Sequence, residues 1–282
     1  MEIAIQDRTE LLDIEKILKN KNPRLYKRLP KFIVSWLKKT IRQVDLNEFI
    51  ASSNKLHAIE FLRNSFTHFD IKSETIHFEN LPENSKIIIV SNHPIGSFDG
   101  LHLIHLVYSK YGKVKAVVND LLLNVKNLNE FFLGVNKHGM TSKQHIEMLN
   151  TLFESDVPIV YFPAGLVSRR KNGAIKDPEW KKTFLTKAVK YERDIVPVFV
   201  EGRLSNKFYT IANIRKKLGI KINIEMFFLP DEMIKQKGKT LKITIGKPIS
   251  YKKFTSVKDF EKNTNDIKNH VYKLEKNPDA FF

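Results

Sequence analysis

The chain of 282 residues contains no cysteine. That excludes disulfide staples, thiolate metal sites and a cysteine nucleophile, and it fits a reducing compartment. No stretch of about 18 to 20 residues is free of charge, so no membrane-spanning helix is expected. The start, MEIAIQDRTELLDIEK, is acidic and lacks an apolar core segment, so a cleaved secretory signal is not expected either. There is no internal repeat, low-complexity tract or clear linker. Acidic residues are missing from a whole region: Lys16 to Arg42 holds ten Lys or Arg and no Asp or Glu.

What is present is an apolar fraction of 42%, enough to build a sizeable core, and a large excess of positive charge. Lys and Arg number 48 against 31 Asp and Glu, a formal charge of +17. Nucleic acid, an anionic membrane surface or small acidic ligands would all suit it, as would a merely solubilising lysine-rich surface. In the acid-free stretch, Leu25, Tyr26, Leu29, Phe32, Ile33, Trp36, Leu37 and Ile41 recur at helical spacing, with Pro30 restarting the helix. A basic amphipathic helix carrying Trp and Phe fits a membrane interface, or else a helix packed on the main body with solvated lysines. A further helix is predicted from Asp45 to about Phe69.

After Ile71 short apolar runs alternate with helical segments. Strands are predicted at Lys86–Val90, Val114–Val118, Val157–Tyr161, Ile195–Val200, Ile222–Phe228 and Leu241–Ile245. Helices are predicted at Leu101–Tyr111, Lys143–Phe153, Pro178–Tyr191, Asn206–Leu218 and Val257–Leu274. This alternation predicts an α/β fold, a mostly parallel sheet flanked by helices, preceded by an all-helical, membrane-associating N-terminal region. The expected division is 1–70 for the basic helical region and 71–282 for the α/β domain.

Ligands of open α/β sheets bind beyond the carboxyl ends of strands, so the strand exits carry the interest. Ile87 to Val90 runs into Ser91-Asn92-His93-Pro94-Ile95-Gly96-Ser97-Phe98-Asp99-Gly100. An imidazole there can take a proton from a hydroxyl near neutral pH, and a carboxylate can fix its tautomer. The same residues also fit a helix-capping Asp and a histidine bonded to backbone. Tyr161-Phe162-Pro163-Ala164-Gly165-Leu166-Val167-Ser168-Arg169-Arg170-Lys171 makes a rigid turn followed by three cations, suited to an anionic group or to an ordinary surface loop. Phe132-Leu133-Gly134-Val135-Asn136-Lys137-His138-Gly139 places a cation beside a turn. Ile195-Val196-Pro197-Val198-Phe199-Val200-Glu201-Gly202-Arg203 is an apolar strand with a polar exit.

In order and spacing these four blocks resemble those of the glycerophospholipid acyltransferases, the lysophosphatidate acyltransferase-like family. Asn92-His93 with Asp99 is similar to its Asn-His-x4-Asp block, Gly134 to Lys137 to its second, Phe162 to Gly165 with Ser168 and Arg169 to its Phe-Pro-Glu-Gly block, and Val196-Pro197-Val198 to its fourth. The likeness spans about residues 85 to 200. Three positions depart from the pattern: five residues separate His93 from Asp99, Ala164 stands where the family has Glu, and Lys137 replaces Arg. Asn-His-Pro-x-Gly-x-x-Asp-Gly with Phe-Pro-Ala-Gly resembles most closely the bacterial enzymes that acylate the hydroxyl of lyso-ornithine or lyso-glycine lipids.

The resemblance implies O-acyl transfer from an acyl carrier protein or coenzyme A thioester to a lyso-lipid, with no bound cofactor and no metal. His93 would be the base and Asp99 its support. Asn92, Gly96, Asn136, Lys137, Phe162, Pro163, Gly165, Ser168 and Arg169 would bind substrate, Arg169 and Lys137 holding the acceptor's anionic group. Backbone amides near Gly165 would face the oxyanion. The implied setting is cytoplasmic, peripheral on the inner face of the cell membrane, with the basic surface steering an acidic carrier protein. Competing readings are a 1-acylglycerol-3-phosphate acyltransferase, a non-catalytic lipid-binding relative, a nucleic-acid-binding protein, and a metal-dependent hydrolase using His93, Asp99, His102 and His105. For the last two histidines, core packing in an apolar helix is the main expectation.

Overall fold

The computed structural model describes residues 12–21, 23–118, 122–134, 142–220 and 223–282. Asn136, Lys137 and His138 lie outside the described residues, so the second block is represented only by its leading strand.

The chain opens with five helices: α1 (Ile14–Lys21), α2 (Pro23–Arg28), α3 (Lys31–Thr40), α4 (Gln43–Ser52) and α5 (Ala58–His68). The single helix predicted from Asp45 to Phe69 is therefore two. The break has a long-range cause. Asn127, buried, donates from its side-chain amide towards the Asn54 and Leu56 carbonyls, while Asn64 donates to the Ser53 hydroxyl at 2.8 Å. Carbonyls held this way no longer need a continuing helix.

Then follow β1 (Lys72–Ile76), β2 (Ile87–Ser91), α6 (Phe98–Tyr111), β3 (Lys115–Val118), β4 (Phe132–Gly134), α7 (Ser142–Glu154) and β5 (Ile159–Tyr161). A short hairpin of β6 (Arg169–Lys171) and β7 (Ala174–Lys176) precedes α8 (Thr183–Lys190) and β8 (Asp194–Val200). The chain finishes with α9 (Asn206–Lys217), α10 (Leu229–Ile234), β9 (Thr240–Ile245) and α11 (Phe260–Lys273). Among the described residues no helix is long and apolar enough to cross a membrane.

Seven strands form one sheet in the order β1-β9-β8-β2-β5-β3-β4, parallel throughout except for the β8–β9 pair. This is the mostly parallel, helix-flanked architecture that the alternating pattern predicts. The central strand β2 is buried along its whole length, and its side chains divide between two cores. Ile87 and Ile89 face the core that holds Phe61, Leu62, Phe98 and Phe208; Ile88 and Val90 face the one that holds Trp180, Phe184, Phe260 and Ile267. A strand covered on both faces reads as an unbroken apolar run, as Ile-Ile-Ile-Val does. Pro197 is tolerated within β8 because the ladder to β9 is interrupted there, between Val198↔Ile245 and the isolated Ile195↔Ile249 bridge.

Behind β2, Arg193 is completely buried without a carboxylate. Its guanidinium donates to the carbonyls of Ile87, Leu152, Phe153, Ser155 and Val157, tying the end of α7 to the start of β2. Burial pulls its pKa down to about 10.

The predicted strand Ile222–Phe228 is wrong. Residues Ile224–Phe228 form a 3-10 turn leading into α10. Successive side chains there serve different neighbours: Glu225 is fully buried, Met226 and Phe228 join the main core, and Phe227 packs beside Ile14, Leu37 and Ile41. The two-residue alternation of a strand cannot do that. The helix predicted over Pro178–Tyr191 starts later, because residues 177 to 181 are taken up by contacts to the site described below. Strand β1 escaped prediction because its sequence, KSETI, is polar and mostly exposed.

Candidate active site

The site forms where β2 ends. Asn92 continues the sheet by side chain: its Nδ2 donates to the Val200 carbonyl at 2.8 Å, and its Oδ1 accepts the Val200 amide at 2.7 Å. Both amide atoms are consumed, so Asn92, expected to touch substrate, instead locks β2 to β8 immediately before His93. The chain then reverses. Gly96 takes φ +75°, and a Cβ there would lie 2.4 Å from Val167 Cγ1. Left-handed backbone and close approach together require glycine.

This turn brings Asp99, in the first turn of α6, back onto His93. The His93 Nδ1 to Asp99 Oδ2 distance is 2.9 Å. The same Oδ2 accepts the Ile95 and Gly96 amides, both at 3.1 Å, and Oδ1 accepts the Gly100 amide at 2.9 Å. The extra residue between His93 and Asp99 is thus absorbed in the Pro94–Ser97 turn and the hydrogen bond is made. A carboxylate at a helix N-terminus, holding three backbone amides, is a stable anion. Burial pushes the Asp99 pKa up, but the His93 charge and hydrogen bond, with the amides of Ile95 and Gly96, prevail and hold it below the usual carboxylate value. Burial likewise pulls His93 down; the Asp99 charge and hydrogen bond, with Asp177 adding, overcome this and leave its pKa above the ordinary 6.5.

With Nδ1–H directed at Asp99, Nε2 is left as the proton acceptor. The ring is 19% exposed and lies against Phe162, with centroids 4.1 Å apart. Phe162 begins the second block, and Gly165 closes its turn: the Gly165 amide donates to the Phe162 carbonyl at 3.0 Å, with Gly165 at φ +64°. That amide is therefore spent, and not directed at an oxyanion. Pro163 is buried, and its carbonyl accepts the Lys181 amide at 3.1 Å.

The residue that joins the two blocks was not singled out from sequence. Asp177, buried, accepts the His93 amide at 3.1 Å and the Ser168 hydroxyl at 2.6 Å on Oδ1, and the Trp180 indole N–H at 2.9 Å on Oδ2. The Ser168 amide donates to the His93 carbonyl at 2.8 Å. Asp177 is itself fixed from α11: its amide donates to the Tyr272 hydroxyl at 2.7 Å, and its carbonyl accepts Lys268 Nζ at 2.9 Å. The proximity of Asp177 to Trp180, three residues on, is a local hint. Its long-range partners have no sequence signature.

Arg169 is committed within the protein. Its guanidinium donates to the Val167 carbonyl at 2.7 Å and to Glu225 Oε1 at 2.9 Å, and it lies over the Phe208 ring. Glu225 also has Arg215 within 2.8 Å. His102 and His105 do not join the site. His102 is buried and stacked on Phe66 at 3.9 Å, its pKa pulled down to about 4 chiefly by burial, and His105 accepts from Arg63 Nε at 3.3 Å. Among the described residues no cluster of three or more His, Asp or Glu could hold a metal ion.

A carboxylate-supported imidazole with one free nitrogen, at the carboxyl edge of an α/β sheet, is an arrangement suited to deprotonating a hydroxyl for group transfer. A family described as acyltransferase matches residues 16–281, and the chain belongs to that family of enzymes. Among its relatives, a lyso-glycine lipid O-acyltransferase of Phocaeicola vulgatus is 46% identical over 265 residues, 94% of this chain and 95% of that protein. A second lyso-glycine lipid O-acyltransferase, from Bacteroides thetaiotaomicron, is 44% identical over 265 residues, 94% of this chain and 97% of that protein. The crystal structure of the 1-acyl-sn-glycerophosphate (LPA) acyltransferase PlsC from Thermotoga maritima aligns with TM-score 0.46 and 19% identity, covering 93% of each chain.

Proposed function

We infer that this enzyme transfers a fatty acyl group from a thioester donor, acyl carrier protein or coenzyme A, to the hydroxyl of a lyso-amino-acid lipid of the lyso-glycine kind. The observation that carries the reading is the 2.9 Å His93–Asp99 contact, which leaves Nε2 as the acceptor of a proton. The acceptor class draws on the relatives named above. Nε2 removes the hydroxyl proton as the oxygen bonds to the thioester carbonyl carbon. Collapse of the tetrahedral intermediate breaks the C–S bond, and His93 returns the proton to the departing thiolate. No covalent acyl-enzyme forms. Phe162 holds the ring in plane and Ser168 and Asp177 fix its backbone, while Asn136 and Lys137 of the second block contribute to acceptor binding. The test is direct: purified protein, lyso-glycine lipid and either thioester donor, with products read by mass spectrometry. Acylation of lyso-glycine lipid is expected; acylation of lysophosphatidate instead would overturn the acceptor assignment.

The enzyme works at the anionic inner face of the cell membrane, where an acidic carrier protein can reach its basic surface. Helix α3 supports this. Val34 and Leu37 point into the protein, whereas Phe32 is 72% and Trp36 49% exposed. The apolar residues of this helix thus serve two faces, and Lys31 and Lys39 of α3, like Arg24, Lys27 and Arg28 of α2, are exposed. Exposed aromatic residues in a basic, acid-free stretch suit the headgroup layer. Phe32→Asp should weaken binding to anionic vesicles severalfold, by flotation assay, while turnover on detergent-dispersed substrate is retained. Unchanged flotation would leave α3 as an ordinary surface helix.

A further inference from the structure

Arg169 is neutralised by Glu225, yet the next residue is not. The chain carries an arginine after each of the two strands flanking β2. Arg170 stands in the hairpin that follows β5, two residues after the Ser168 amide that holds the His93 carbonyl. Arg203 follows β8 and Gly202, where a Cβ would lie 3.0 Å from Ile95 and 3.7 Å from Pro94 in the catalytic turn. The two guanidinium groups converge on one neutral oxygen: Arg170 Nη1 donates to Asn206 Oδ1 at 3.2 Å and Arg203 Nη2 donates to it at 2.7 Å. Arg170 is steadied by Thr210 Oγ1 at 3.2 Å and by the Tyr209 ring.

Among the described residues no carboxylate lies within ion-pair distance of either group. The nearby acid, Glu232, is taken by the Ser205 amide, the Ser205 hydroxyl and Lys235, at 2.6, 2.6 and 2.9 Å. Asn206 also opens the 12-residue helix α9, whose positive end adds to the field. Two guanidinium forks brought together without an acid fit a planar or tetrahedral oxyanion, which each can grip with two N–H groups.

We propose that Arg170 and Arg203, bridged by Asn206, form the substrate-anion site of this enzyme. The site takes a carboxylate or phosphate oxyanion: the acceptor's amino-acid carboxylate or the phosphate of the donor's phosphopantetheine arm. This rests on the acyl-transfer reading and names where the charge is held.

The test varies each substrate in turn with inorganic phosphate present. Phosphate should compete with one substrate of the wild-type enzyme. Arg170→Met and Arg203→Met should each raise the KM of that same substrate about tenfold, a typical effect of losing a charged hydrogen bond, and abolish phosphate inhibition, with kcat nearly unchanged. Competition against the lyso-lipid assigns the site to the acceptor; competition against the thioester assigns it to the donor. Lack of phosphate competition in the wild type, or unchanged KM values in both variants, overturns the proposal. Should a variant fail to fold, phenylglyoxal labelling of wild-type Arg203, read by mass spectrometry, still decides: millimolar phosphate should suppress it, and equal labelling with and without phosphate counts against the site. That readout needs no turnover, so inactivity on lyso-glycine lipid would defeat the acceptor assignment alone.

Discussion

Asp99 and Glu225 are both completely buried carboxylates with basic partners, and they end in opposite states. Asp99 is surrounded by backbone N–H groups and one edge of an imidazole, so the other edge of that ring remains free. Glu225 lies between two guanidinium groups, Arg169 also donating to the Val167 carbonyl and Arg215 to the Ile220 carbonyl, and it has no exposed surface from which to reach a ligand. A buried ion pair is therefore no marker of chemistry by itself. What distinguishes the pair proposed for catalysis is a partner whose ring is 19% exposed and keeps one nitrogen unspent.

The contrast can be broken most simply at His93. His93→Ala should lower kcat by ~10³-fold with the melting temperature nearly intact, since general-base catalysis contributes about that much. Substantial turnover in the folded variant would remove the assigned base. Asp99→Asn should cost roughly 10²-fold, less than loss of the base itself. It should also move the acid limb of the kcat/KM profile. In the wild type that limb should lie above pH 6.5, because protonated His93 cannot accept a proton and Asp99 raises its pKa. Without the anion, burial prevails and the limb moves to lower pH; an unmoved limb would detach Asp99 from His93.

Glu225→Gln should behave the other way. Two half-buried guanidinium groups lose their counter-charge, so stability should fall by roughly 3 kcal/mol in urea unfolding, with the pH profile unchanged. Asp177→Asn should be mildest, a loss of about tenfold in kcat with a shift of the limb to lower pH smaller than that of Asp99→Asn, since it loosens backbone at His93 and Ser168 and removes the lesser of the two charges that raise the His93 pKa. Rescue of none of that loss by a stabilising buffer salt would separate positioning from simple unfolding.

The sequence carried the sheet well where strands are apolar and buried, as at Ile87 to Val90, and poorly where a segment answers to distant partners. Glu225 lies inside an apolar run that reads as a strand; its inward partners are Arg169, far away in sequence, and Arg215 of the preceding helix. Asn127, far beyond the predicted helix at Asp45 to Phe69, is what divides it. His93, Asp99, Gly96, Phe162 and Ser168 lie together, but the Ser168 hydroxyl and the Gly96 amide, expected to bind substrate, are spent on Asp177 and Asp99. Asn92 and the Gly165 amide, grouped with them by motif, are spent on internal bonds, which no linear pattern reveals. Asp177 stayed hidden because its role depends on a hydroxyl from the last helix.

That hydroxyl belongs to Tyr272. The backbone at His93 is braced by Asp177, which is braced in turn by a residue the ribosome adds some 180 positions after the imidazole. Contacts so far apart along the chain close late and slowly. A chain cut before Tyr272 should therefore retain the histidine and its aspartate yet lose the brace behind them, so that both halves of the pair are present in a polypeptide that leaves lipid unmodified.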